Sequence, residues 1–182
     1  MQFVQPIRDK NLIDKVKNIL LKNGSRDLLL FVAGINTGLR ISDLLQLKVS
    51  DVKDKSHLEI KEKKTGKNRR FYISPTLKTS FDNYIQNMNS EQFLFSSRKG
   101  INKPITRVQA YKIINDAVKS TGLCDKIGTH TLRKTFGYWH YQQFKDVAVL
   151  QDIFNHSAPS VTLRYIGIND DMKDRTIAEF SL

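Results

Sequence analysis

The sequence is poor in cysteine, in acidic residues and in long apolar runs, and each shortage excludes something. A single cysteine, Cys124, in 182 residues rules out an internal disulfide and any cysteine-rich metal site. Cys124 reads as a small buried hydrophobe, not as a reactive thiol. The longest apolar stretch, Leu28 to Ile35, includes Gly34 and falls far short of the roughly 20 residues that span a bilayer. The opening Met1-Gln2-Phe3-Val4-Gln5-Pro6 has no basic segment followed by an apolar one, so no secretory signal is visible. No Lys/Arg-rich amphipathic helix with bulky anchors points to a membrane surface. His57, His130, His140 and His156 show no zinc-like spacing, and no carboxylates cluster for a two-metal site. No metal, no cofactor and no membrane partner are therefore expected, and the protein reads as reduced and cytoplasmic. Acidic residues number 18 against 30 Lys and Arg, a net charge of +12. Such an excess suits a polyanionic partner.

The remaining composition, 40% apolar and 26% charged, fits one folded domain with a real core. Leu12, Ile13, Val16, Ile19 and Leu20 fall at helical spacing within Asp9 to Lys22, and Asn23-Gly24 stops that helix. Ser25 can cap a nearly apolar second helix, and Ile41 to Leu47 reads as a short third one with Leu44, Leu45 and Leu47 inward. The period then changes. Leu58/Ile60 and Phe71/Ile73 alternate with polar residues on either side of Lys63-Lys64-Thr65-Gly66-Lys67-Asn68, the pattern of a β-hairpin. Phe93-Leu94-Phe95 reads as a third strand. Ser74-Pro75, Thr106 and Asp146 each open a further helix, Thr129 can cap one from His130 to about Phe144, Pro159 opens a turn or helix that carries Tyr165, and Asn169 to Phe180 forms a last helix. Val108, Tyr111, Ile113, Ile114 and Val118 are expected on the packed side of the helix after Thr106. Phe136, Trp139 and Phe144 are expected to pack the helix after Thr129, with His140 structural or exposed. The expected class is α+β, mainly helical, with a small three-stranded antiparallel sheet.

Several polar residues stand out against this frame. Arg40 follows a Gly-led bend and opens a helix, which lets its side chain leave the core. Asp43, three residues on, can share its face and hold Arg40 or the neighbouring basic cluster. His130 and Arg133, also three apart, share one face of the first helical turn, where main-chain N–H groups also favour an anion. Arg offers planar, permanent forks for phosphate oxygens. His moves protons near neutral pH. Tyr can attack as a covalent nucleophile, although its ordinary pKa near 10 makes the neutral hydroxyl weak.

Five segments in order, Thr37-Gly38-Leu39-Arg40-Ile41-Ser42-Asp43-Leu44-Leu45, Lys64-Thr65-Gly66, His130-Thr131-Leu132-Arg133, His156-Ser157 and Arg164-Tyr165, resemble the catalytic domain of the tyrosine recombinases, also called the phage integrase family. The likeness runs from about Lys10 to Ile177. It implies the catalytic fold of that family and site-specific cutting and rejoining of double-stranded DNA through a 3′-phosphotyrosyl intermediate. Tyr165 would be the nucleophile, and Arg40 and Arg133 the ligands of the two non-bridging oxygens. His130 and His156 would hydrogen-bond the phosphate or relay the proton. Lys64 would protonate the leaving 5′ oxygen, with Lys63 and Lys67 as neighbouring rivals. Lys63, Lys67, Arg69, Arg98, Lys99, Arg107 and Arg164 are candidate contacts to the DNA backbone. Self-association up to a tetramer on DNA, and a place in a bacterial cell, on its nucleoid or encoded by a phage or mobile element, are also implied. Relaxation of the type IB topoisomerase kind and a non-catalytic DNA-binding module on the same fold are the alternatives.

The chain departs from the family pattern in two places. Phe154-Asn155 stands where relatives have Leu-Gly before the second His; Asn tolerates positive φ, so the bend can survive. Ile166-Gly167 stands where relatives often place a His after the nucleophile. Only 39 residues precede Arg40, and they fit within the catalytic fold. The expectation is one catalytic domain over 1–182 without the N-terminal DNA clamp of full-length relatives, either an excised fragment or a naturally minimal recombinase; the start at Met1 favours the second.

Overall fold

The computed structural model describes residues 4–62, 66–123 and 127–181. Four of the helices begin on a residue, Asp9, Ser74, Thr106 or Asp146, whose side chain accepts from an orphan N–H of the first turn. Helix α1 (Lys10–Asn23) is capped by Asp9, whose carboxylate accepts from Asn11 N–H. Helix α2 (Ser25–Thr37) follows directly, with Gly24 and not Ser25 at the cap, and ends on Gly38 in the left-handed region at φ 64°. A Cβ at Gly38 would overlap the Phe136 ring, so glycine is required there by both backbone and space. Helix α3 is the single turn Ile41–Leu44. A 3-10 turn at Val49–Asp51 leads to the hairpin.

Strands β1 (His57–Lys61) and β2 (Asn68–Tyr72) pair antiparallel, with Leu58 opposite Phe71 on the inner face. Among the described residues the sheet has these two strands alone. The expected third strand at Phe93–Phe95 is corrected: Phe93 makes one isolated bridge to Lys48, and Ser96 one to Pro104. Leu94 and Phe95 are both fully buried. A run with apolar side chains on both sides plugs a core and does not alternate as an edge strand would.

Helix α4 (Pro75–Ile85) starts on the Ser74 cap with proline at its first position. Helix α5 (Arg107–Lys119) is capped by Thr106. Helix α6 (Thr129–Phe144) begins after Gly128, whose N–H donates to Thr131 Oγ1 at 3.1 Å, so the expected cap at Thr129 is corrected to Gly128 and Thr129 is the first helical residue. Helices α7 (Val147–Phe154), capped by Asp146, α8 (Pro159–Ile166) and α9 (Ile168–Ala178) complete the chain.

The main core gathers apolar faces of α1, α2, α4 and α5 with Leu58, Phe71, Leu94, Phe95 and Leu132. Each fully buried Leu, Ile or Phe contributes about 1.5–3 kcal/mol relative to exposure. A smaller cluster of Leu150, Phe154, Ile166 and Ile168 holds α7 and α8 against α6. The expected packing of α5 and α6 holds for Ile113, Ile114, Val118 and the half-buried Trp139, but Val108, Tyr111 and Phe144 lie exposed. Periodicity alone does not say which edge of an apolar stripe faces the interior.

Candidate active site

The bend at Gly38 sends the chain into Arg40, which caps α3 in extended conformation. Its guanidinium is mostly covered, and Nη1 lies 2.6 Å from Oε1 of Glu62, a carboxylate only 2% exposed. Asp43, on the same turn, is buried. Its Oδ1 accepts from Ser42 Oγ at 3.4 Å.

Arg133 projects from the second turn of α6 and is 3% exposed. Nη1 donates to the Gly38 carbonyl at 2.5 Å and Nη2 to the Phe154 carbonyl at 2.9 Å. The guanidinium carbon stands 4.3 Å from the Phe154 ring centroid. One side chain thus joins the segment carrying Arg40 to the segment carrying His156. Burial, followed by repulsion from Arg40, pushes its pKa down to about 10, with Tyr165, Glu62 and Asp43 opposing. It stays charged at neutral pH.

His130, exposed in the first turn of α6, places Nδ1 3.3 Å from the Tyr165 hydroxyl. Helix α8 delivers Tyr165 one residue before its end, and the ring meets Phe154 and His156 edge-on at 5.6 and 5.1 Å between centroids. Burial raises the Tyr165 pKa, while Arg133 and Arg40 pull it down, Arg133 partly through a hydrogen bond. The phenol is therefore neutral at rest, with two cations poised to favour its anion. Beneath the ring, Lys134 Nζ lies 5.1 Å from the centroid. Lys134 is 6% exposed, and burial, then Arg8, lowers its pKa.

His156 follows Asn155, which takes the left-handed conformation at φ 51° and so turns the chain as a glycine would. Its Nδ1 pairs with the buried Thr162 Oγ1 at 3.0 Å. Burial, then Arg133 and Arg40, push its pKa down to about 4, so the imidazole is neutral at pH 7.

A cleft of about 720 Å³ opens in front of these groups, lined by Arg40, Ser42, Arg107, Thr129, His130 and Arg133 among others. The structure thus brings Arg40, Asp43, His130, Arg133, His156 and Tyr165 together and adds Arg107 at the cleft wall. Lys63 and Lys64 lie outside the described residues. Lys67 is exposed, with Nζ 3.4 Å from Asn155 Oδ1. Arg69 donates to the Asp152 carbonyl at 2.6 Å and ties the hairpin to the end of α7. Arg98, Lys99 and Arg164 are exposed, the first two in the loop before α5. Two buried charged neighbours of the site escape the sequence reading: Glu62, which looks like one more solvated acid beside a basic turn, and Lys134, which looks like a surface lysine beside Arg133.

A family model described as the phage integrase family matches residues 7–172. The chain is 51% identical over 171 residues to the probable integrase/recombinase YoeC of Bacillus subtilis (strain 168), covering 94% of this chain and 93% of that protein. The crystal structure of XerA recombinase superposes with a TM-score of 0.76 at 19% identity, covering 97% of this chain and 64% of that one. A lambda integrase tetramer bound to a Holliday junction superposes at 0.72 with 16% identity, covering 91% and 49%. The chain thus spans nearly all of YoeC and about half to two thirds of the solved recombinases.

Proposed function

The chain belongs to the phage integrase family, and from that premise we propose that it is a site-specific recombinase that cuts and rejoins double-stranded DNA through Tyr165. The Tyr165 oxygen attacks the scissile phosphorus, forming a 3′-phosphotyrosyl bond as the bond to the 5′ oxygen breaks. Arg40 and Arg133 hold the two non-bridging oxygens while charge builds on them. His130, at 3.3 Å from the hydroxyl, takes the phenolic proton. His156, neutral and fixed by Thr162, orients the phosphate and the ring of Tyr165. Lys64 protonates the departing 5′ oxygen. Attack by a second 5′ hydroxyl reverses the steps and conserves the bond energy.

The observation that carries this reading is the meeting of the Tyr165 hydroxyl, His130 and the buried Arg133 beside a cleft whose other walls carry Arg40 and Arg107. Backbone contacts by Lys63, Lys67, Arg98, Lys99, Arg107 and Arg164 accompany it, as does assembly up to a tetramer on DNA in the cytoplasm. Residues 1–182 act as the catalytic domain. The test is a nicked duplex carrying a site selected from random DNA, from which the cut fragment diffuses away. A covalent protein–DNA adduct is expected, its bond mapping to Tyr165. No adduct on any selected site would reduce the chain to a DNA binder.

A further inference from the structure

Arg40 and Arg133 are held in different ways. Arg133 is fixed by two main-chain carbonyls, from Gly38 and Phe154. Arg40 pairs with a carboxylate, that of Glu62 at 2.6 Å. Glu62 is itself well fixed. It sits at the root of the hairpin turn, where its N–H donates to the Lys67 carbonyl at 3.0 Å and its carbonyl accepts from Gly66 N–H at 2.8 Å. Its side chain is 2% exposed, against 19% for Arg40, so the carboxylate grips the guanidinium from the interior. A buried ion pair must overcome a large desolvation cost and is weak evidence of added stability. A negative charge behind a phosphate site also opposes the phosphate. Both costs make sense if orientation is what the pair supplies.

We infer that Glu62 is a positioning residue for the reaction proposed above: it aims the Arg40 guanidinium at the scissile phosphate while weakening the ground-state hold on DNA. The inference rests on the strand-transfer reading. Binding and cleavage should therefore part company when its charge is removed. In Glu62→Gln the shape is kept, and DNA affinity is expected to stay equal or tighten by up to about threefold, because one opposing charge is gone. The single-turnover rate of adduct formation is expected to fall by about 10- to 100-fold, since small misplacements of a clamp cost that much. Glu62→Ala should fall further, and thermal unfolding of both variants reports whether they are folded.

A second substrate tests whether Glu62 acts through Arg40. In a duplex whose scissile phosphate carries a methyl group in place of one non-bridging oxygen, one diastereomer lacks the oxygen that Arg40 would hold. On it the rate ratio of unaltered protein to Glu62→Gln should collapse towards one, as it should for Arg40→Ala. Cleavage unchanged in Glu62→Gln, binding and cleavage weakened in parallel, or the same ratio on both substrates would each overturn the inference alone. No adduct from the unaltered protein would overturn the strand-transfer reading and this inference with it.

Discussion

The clamp side and the nucleophile side of the site rest on foundations of different size. Arg40 and the start of α6 stand on a cluster of thirty buried apolar residues among those described. Tyr165 and His156 stand on four, Leu150, Phe154, Ile166 and Ile168, with half-buried neighbours such as Leu163 and Tyr141 around them. The two meet closely at Gly137 of α6, where an added Cβ would lie 2.7 Å from both Phe154 and Ile166. Local opening is cheapest where few apolar contacts must break. The phosphate clamp is therefore the fixed half of the site, and the nucleophile is the half that can shift.

The largest expected effect separates the halves chemically. Tyr165→Phe should abolish covalent adduct while leaving salt-dependent DNA binding intact, as gel shift and denaturing electrophoresis would show. Loss of binding as well would mean the halves are not separable. Next, Gly137→Ala should wedge α7 and α8 away from α6. Adduct formation should drop by about a hundredfold, with affinity held within about threefold. Native-state hydrogen exchange should show amides of α7 and α8 opening about tenfold or more faster than those of α2; equal protection would contradict the comparison. The smallest effect concerns pH. His156 titrates near 4 when folded and near 6.5 when unfolded. Between these values the unfolded chain binds the extra proton. Stability is thus fully present above about pH 6.5 and is lost as pH falls towards 4. Burial also lowers the His140 pKa, which acts in the same direction. His156→Gln should remove part, not all, of the decline in Tm over that range.

Much of the fold is legible in the sequence. Ser74-Pro75, Thr106, Asp146 and Pro159 announce helices because helix starts are local chemistry, and α4, α5, α7 and α8 start where they say. Arg40, His130, Arg133, His156 and Tyr165 were legible through their order along the chain. The third strand was misread because Leu94 and Phe95 are buried together, which composition does not distinguish from pairing. Glu62 was missed because its value lies in Arg40, 22 positions earlier. The tie from Arg69 to the Asp152 carbonyl of α7 is not legible in the sequence, because nothing in its neighbours reveals that carbonyl.

The grip of Arg133 on the Gly38 and Phe154 carbonyls has an evolutionary corollary. Deleting that guanidinium would leave two buried main-chain acceptors without this donor, at about 1–3 kcal/mol apiece. Losing the Tyr165 hydroxyl would cost the architecture far less. A descendant retired from chemistry would discard its phenol early and keep its arginine long after, so a surviving guanidinium at this position testifies to ancestry and not to present employment.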